Sequence, residues 1–151
     1  MTKSTKLKQG LSPADDACNC FYLRRAARLI TRQYAETMKP AGLNTGQYTV
    51  LACLSHRDSL TITELAAMMG LERTSLSRAL RPMEKDQLVS LSPEESQRCR
   101  YVTLTAKGKS AYEKALPYWN KAQQDFSEQL GSEEVEVLRK LLKRTAEVVT
   151  I

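Results

Sequence analysis

ERTSLSRALRPMEK, residues 72–85, decides how this chain is read. At about 100° per residue, Leu76, Ala79, Leu80 and Met83 share one face of a helix, while Thr74, Arg78, Arg81 and Lys85 share the other. The apolar stripe calls for a core beneath it, and the cationic row calls for water or a polyanion. Pro82 removes an amide donor inside the pattern, so a bend is expected there, with the helix resuming to about Gln87. Upstream, Thr61-Ile-Thr-Glu64 has the form of a capping box and opens a short helix ending near Gly70. Two helices joined by a turn at Gly70, the second with a basic outer face, make a helix-turn-helix.

Downstream, Leu88–Leu91 and Tyr101–Leu104 read as two short strands around the polar stretch from Ser92 to Arg100, which is a β-hairpin wing. Short polar side chains and forked guanidinium groups reach base edges when such a helix lies in a major groove, and the helix offers Arg73, Thr74, Ser75, Ser77, Arg78 and Arg81. Arg78 is the best candidate for a base contact. Arg98 and Arg100 in the wing suit a neighbouring minor groove or phosphates. A merely solvated basic face is the plain alternative, and the hairpin directly after the helix weighs against it.

Outward from this core lie two helical flanks. Residues 1–12 carry Lys3, Lys6 and Lys8 without an apolar pattern and read as a flexible basic tail. From Pro13 to Met38 a long helix is expected, with Leu23, Ala26, Ala27, Ile30 and Tyr34 on one face and Arg24, Arg25, Arg28 and Arg32 opposite; Pro40 and Gly42 stop it. Asn44 or Thr45 can cap a helix through Tyr48, Val50, Leu51 and Leu54. After Thr105 comes a long helix with Tyr112, Ala115, Trp119, Ala122 and Phe126 at spacings of three and four, then Gly131 and a last helix capped by Ser132. The first and last helices carry more apolar surface than a small lobe can cover, so they are expected to pack together and against a second copy. The fold class is mainly α with a small β-hairpin: a winged helix-turn-helix lobe over 43–104, with dimerisation helices over 13–42 and 105–151. Two-fold symmetry then predicts a palindromic DNA site with half-sites about one helical turn apart.

Composition narrows the function classes. Lys and Arg total 23 against 17 Asp and Glu, a formal net charge of +6, which favours polyanionic partners without identifying one. No apolar run is long enough for a membrane span and the basic start lacks a signal-peptide core, so a cytoplasmic protein is expected. Four cysteines (Cys18, Cys20, Cys53, Cys99) with the single histidine His56 do not resemble a secreted disulfide framework. Around His56 there is no nucleophile–base pairing, no phosphate-cradling glycine loop and no cluster of metal ligands, so neither enzyme activity nor a metal or cofactor is expected. A winged helix used only for protein contacts is the rival reading, and a thiol-dependent peroxide-reducing protein a weaker one.

These residues resemble the MarR family of bacterial transcriptional regulators over about residues 15–149. The marks are Leu43-x-x-x-Gln47-Tyr48, Leu60-Thr-Ile-Thr-Glu-Leu-Ala66, Glu72-Arg-Thr-Ser-Leu-Ser-Arg78 and Val102-Thr-Leu-Thr-Ala-Lys-Gly108. The resemblance implies a homodimer that binds palindromic double-stranded DNA, as a repressor more often than an activator, released by a small ligand or by cysteine oxidation. Two departures stand out. Ser96-Gln97-Arg98 keeps the wing arginine of the family signature without its acidic brace, for which Glu94 or Glu95 can substitute, and Gln87 stands where a glycine is usual.

Cys20-Phe-x-Leu-x-x-x-x-Arg28-x-x-Thr31-x-x-Tyr34 is similar to the first helix of the organic-hydroperoxide-sensing branch, which implies a peroxidatic role for Cys20 with Tyr34 helping to hold it. Fourteen helical residues span about 21 Å, so that contact would have to cross the dimer. Against it, Thr45 stands at a second expected tyrosine position and no cysteine follows Cys99. Cys18 and Cys20 project about 200° apart on a helix, which opposes a bond between them within one chain and leaves Cys18 to pair across subunits or with a small thiol. The competing input is a small phenolic or carboxylate effector paired to Arg24 and Arg28, whose guanidinium groups otherwise form a solvated face. Cys53 reads as core packing; Cys99 lies between Arg98 and Arg100, whose charge favours a thiolate.

Overall fold

The computed structural model describes residues 18–92 and 99–149. Helix α1 spans Asn19–Met38 and passes into a 3-10 turn at Lys39–Ala41, which carries Pro40 and ends on Gly42 in the left-handed region (φ 71°). Cys18 has an extended backbone (φ −87°, ψ 99°) and its Sγ accepts the Phe21 amide at 3.4 Å, so α1 begins at Asn19. An unbroken helix from Pro13 is thereby corrected at Cys18; residues 13–17 lie outside the described ones, as does the basic tail.

Helix α2 spans Thr45–Leu54, and Asn44 and Gln47 cap it reciprocally at 2.8 and 3.0 Å. Strand β1 is Leu60–Thr61 and runs straight into helix α3, Ile62–Met69. The Thr61 hydroxyl accepts the Glu64 amide at 3.1 Å and the Glu64 carboxylate accepts the Thr61 amide at 2.8 Å, the capping box that the local pattern predicts. Gly70, at φ 63°, closes α3, and helix α4 follows over Arg73–Lys85. Strands β2 (Val89–Leu91) and β3 (Tyr101–Leu104) form the hairpin, helix α5 spans Ala106–Leu130 and helix α6 Ser132–Val148.

The sheet has three antiparallel strands in the order β1-β3-β2, with Leu60 opposite Val102 and Val89 opposite Leu104. The sequence pattern predicts only two of them. Two residues are too few to show alternation, and β1 exists because Thr61 ends a strand and caps a helix at once. At the other end of the chain, α6 is preceded by Gly131 (φ 103°, ψ 137°) with no side-chain cap. Ser132 is therefore the first helical residue and not the cap, because the backbone reverses one residue earlier, in a conformation that glycine tolerates.

Leu76, Leu80 and Met83 of α4 are fully buried in one cluster with Leu51, Leu54, Leu65, Val89, Val102 and Ala115. Ala79 is exposed, against the expected stripe, because it lies at the rim of that face, beside a small concavity lined by Val50, Leu71 and Pro82. The helix runs unbroken through Pro82. Proline at this position deprives only the Arg78 carbonyl of its helical donor, and Pro82 is exposed, so water can serve that carbonyl. A second packing centre joins the lobe to the outer helices. Trp119 of α5 stacks on Tyr48 of α2 (4.3 Å between ring centroids, 19°) and meets Tyr34 of α1 edge-on (5.0 Å, 76°), while Tyr112 lies 5.5 Å from Tyr48. Farther out, Leu23, Ala26 and Ala27 of α1 are exposed and face Leu138, Leu141 and Leu142 of α6 across an open apolar groove of about 730 Å³.

Candidate nucleic-acid interface

Burial of Leu76, Leu80 and Met83 pins the opposite face of α4 outward. Arg73, Thr74, Ser77, Arg78 and Arg81 line one open hollow of about 550 Å³ on that face. All five come from a single helix, so the hollow is a surface and not an enclosed cavity. Among the described residues no carboxylate pairs with Arg73, Arg78 or Arg81. Three guanidinium groups thus stand on one helix face with their donors turned to solvent. The Ser77 hydroxyl donates to the Arg73 carbonyl at 2.9 Å, and Ser75 is exposed outside the hollow.

A second hollow of about 350 Å³ lies between α4 and the wing, lined by Ile62, Arg73, Ser77, Arg81, Glu84, Leu91 and Arg100. Arg100 is half-buried at the wing root: its Nε donates to the Ser92 carbonyl at 3.3 Å, and its carbonyl accepts the Ile62 amide at 3.0 Å. Arg98 lies outside the described residues, as do Glu94 and Glu95, the expected substitutes for an acidic brace. The structure therefore brings together six of the eight residues singled out for DNA contact. Glu84 was missed; it is three residues after Arg81 and seven after Ser77, so helical spacing places it on the same face.

The exit from α4 is built with unusual tightness. Gln87 has φ 61°, the one positive-φ non-glycine residue among those described. Its amide donates to the Glu84 carbonyl and the Leu88 amide to the Met83 carbonyl, each at 2.9 Å, a left-handed helix ending in which glycine is usual. The Thr105 hydroxyl donates to the Gln87 carbonyl at 2.6 Å, lies 3.1 Å from the Leu88 carbonyl and accepts the Gly108 amide at 2.9 Å. Gly108 packs so closely that an added Cβ would come within 1.9 Å of the Leu88 carbonyl oxygen.

Within one chain the residues singled out for sensing lie apart, as the helical spacing between Cys20 and Tyr34 requires. Cys18 and Cys20 are exposed at the start of α1, whereas Tyr34 is buried against Trp119. Burial pushes the Tyr34 hydroxyl pKa up, and the nearby Arg139 charge offsets part of that. Because Cys18 is extended and not helical, the 200° separation from Cys20 does not apply: one of the two thiols is outside the helix that would hold them apart. Arg24 and Arg28 are exposed on α1. Cys53 is half-buried, and burial raises its thiol pKa despite the Arg57 charge. Among the described residues no group of three His, Cys, Asp or Glu is placed to hold a metal, and no helix is long and apolar enough to cross a membrane.

Residues 43–99 match the MarR family model. The chain is 35% identical to the M. tuberculosis transcriptional regulator MosR, solved in complex with DNA, over 86% of this chain and 94% of that one, with a TM-score of 0.78. NadR, solved in complex with 4-hydroxyphenylacetate, is 26% identical over 93% of this chain and 99% of its own, with a TM-score of 0.71. The organic hydroperoxide resistance transcriptional regulator of Bacillus subtilis (strain 168) is 29% identical over 98 residues, 64% of this chain and 67% of that protein.

Proposed function

Because the chain belongs to the MarR family of transcriptional regulators, we propose that it binds palindromic double-stranded DNA as a homodimer and represses transcription from it in the cytoplasm, without catalytic turnover. Residues 43–104 form the reading lobe, and 13–42 with 105–151 the dimerisation platform. The observation that carries this is the face of α4, where Arg73, Arg78 and Arg81 stand without carboxylate partners beside the Arg100 cleft. Thr74, Ser75 and Ser77 add short polar groups on the same helix, and Arg98 extends the wing contact. The helix enters a major groove while the wing follows the adjoining backbone.

Fluorescence anisotropy with the duplex upstream of its own gene tests this. The wild type is expected to prefer that duplex over random sequence, with log affinity falling linearly as log salt rises. Arg78→Ala is expected to cost about 1–3 kcal/mol of binding and to relax specificity. Wild-type binding no tighter than to random duplex sinks the regulator reading and favours a winged helix that contacts proteins.

For the input, exposure of Cys20 together with similarity to a hydroperoxide resistance regulator favours oxidation. The Cys20 thiolate takes the terminal oxygen of an organic hydroperoxide, becoming a sulfenic acid and releasing the alcohol; Cys18 or a small thiol then condenses with it, releasing water. By the same resemblance, Tyr34 of the partner subunit would hold the thiolate, since Cys20 and Tyr34 of one chain are fourteen helical residues, about 21 Å, apart. Equal release of DNA by hydroperoxide from wild type and Cys20→Ser removes Cys20 from the mechanism. In that case a phenolic or carboxylate effector at Arg24 and Arg28 is the remaining input, testable by adding 4-hydroxyphenylacetate to the same complex.

A further inference from the structure

We propose that Thr105 is a positioning residue for DNA reading: its hydroxyl sets the angle between the recognition helix α4 and the long helix α5, and with it the half-site spacing the dimer accepts. This rests on the reading of the chain as a dimeric DNA-binding regulator.

In a two-fold dimer the separation of the recognition helices is set by how each lobe sits on its own platform. At the joint itself, one hydroxyl bonds to both parts. It accepts the Gly108 amide in the first turn of α5, and it donates to the Gln87 carbonyl just past the end of α4. The Thr105 amide adds a bond to the Leu88 carbonyl at 3.3 Å, and Gly108 lies so close to the same carbonyl that a methyl group does not fit between them. Gln87 is held at φ 61° inside this joint. A left-handed non-glycine residue persists only where its surroundings over-determine it, and here bonds from both sides do so.

Capping α5 requires only an acceptor, so the donating half of the hydroxyl is surplus to holding that helix. Its acceptor belongs to the exit of α4, which is why the bond orients one helix on the other. The lever arm is large: Arg78 lies nine residues before Gln87, about 13 Å along the helix axis, so a 10° rotation at the joint moves that part of the helix by about 2 Å. Two lobes moving together shift by more than the roughly 3.4 Å rise of one base pair.

The test separates the two halves of the hydroxyl. Asp caps as well as Thr but cannot donate when ionised, whereas Ser does both. Wild type, Thr105→Asp and Thr105→Ser are each used to select binders from a library of random DNA duplexes, and the spacing between inverted half-sites is read by sequencing. Wild type and Thr105→Ser are expected to prefer one spacing about 10-fold over spacings one base pair longer or shorter, a discrimination the size of one mismatched pair. Thr105→Asp is expected to select the same half-site sequence with that preference reduced to about 2-fold or less, a loss of at least about fivefold. If Thr105→Asp does not fold, as judged by its melting curve, Thr105→Ala takes its place with the same expectation. A folded variant without the hydroxyl that keeps the wild-type spacing profile overturns the proposal while leaving the regulator reading intact. Wild type that enriches no inverted repeat overturns both.

Discussion

The lobe and the outer helices are patterned alike and end up differently. In α4, Leu76 and Leu80 are 0% exposed; on α1 and α6, Leu23 and Leu141 are 44% and 57% exposed. All four are leucines on helices with an apolar stripe. The lobe brings its own cover, since residues of α2, α3, the sheet and α5 close over the Leu76–Leu80–Met83 stripe of α4. The groove between α1 and α6 has walls and no lid. Periodicity tells which face of a helix seeks cover; only the arrangement of neighbours tells whether the same chain supplies it.

Two substitutions are designed to break this contrast. Leu80→Ala removes a side chain from a closed core and is expected to cost about 3 kcal/mol, lowering the melting temperature by roughly 10 °C at every protein concentration. Leu141→Asp places a charge in the groove and is expected to halve the sedimentation mass and abolish tight operator binding. A Leu141→Asp variant that remains dimeric at micromolar concentration would show that the second copy sits elsewhere.

A smaller effect sharpens the comparison at the boundary between the two regions. Gln87→Gly relieves a left-handed residue worth about 1–2 kcal/mol of strain and gives back about 0.5–1 kcal/mol in chain entropy, a net stabilisation of about 0.5–1 kcal/mol. Thermal melting should rise by a few degrees; a fall would mean that the glutamine side chain contributes more than its backbone costs.

The smallest effect lies inside the lobe. Donation from the Thr61 amide and hydroxyl holds the Glu64 carboxyl below its ordinary pKa, so the folded state favours the ionised form. That contribution is present above the unfolded carboxylate value and disappears as pH falls through the lowered folded one. Wild type should therefore melt above Glu64→Gln at pH 7, and the two curves should converge in acid. A gap of constant size down the acid limb would show that ionisation of Glu64 plays no part.

What was legible in the sequence was local. The Thr61–Glu64 cap joins residues three apart, and the α4 stripe repeats within one helix, so each carries its geometry in a few neighbouring letters; at α2 the sequence left Asn44 and Thr45 as alternatives, and the structure selects Asn44. Ala79 misled because a helical wheel assigns a face but not the width of what covers it. Strand β1 escaped because its partner is some forty positions away and it has only two residues. The Thr105–Gln87 bond spans 18 residues, from the start of one helix to the end of another, and no periodicity signals such a contact. The same limit applies to the interface. Helical spacing groups Arg73, Ser77, Arg78 and Arg81 unaided, whereas the Arg100 cleft exists only because the hairpin brings Leu91 and Arg100 back beside α4. At Cys18 a single extended residue changed the geometry that a continuous wheel implied.

Trp119 is the only tryptophan in the chain, and it sits between Tyr34 of the first helix and Tyr48 of the lobe. Its indole emission therefore has a single origin, at the seam between the reading lobe and the helices that carry it. Excitation at the red edge, where tyrosine does not absorb, would follow that seam in the unlabelled protein as DNA or an inducing signal is added. The fold has placed its own optical gauge at the point where a change of shape has to pass.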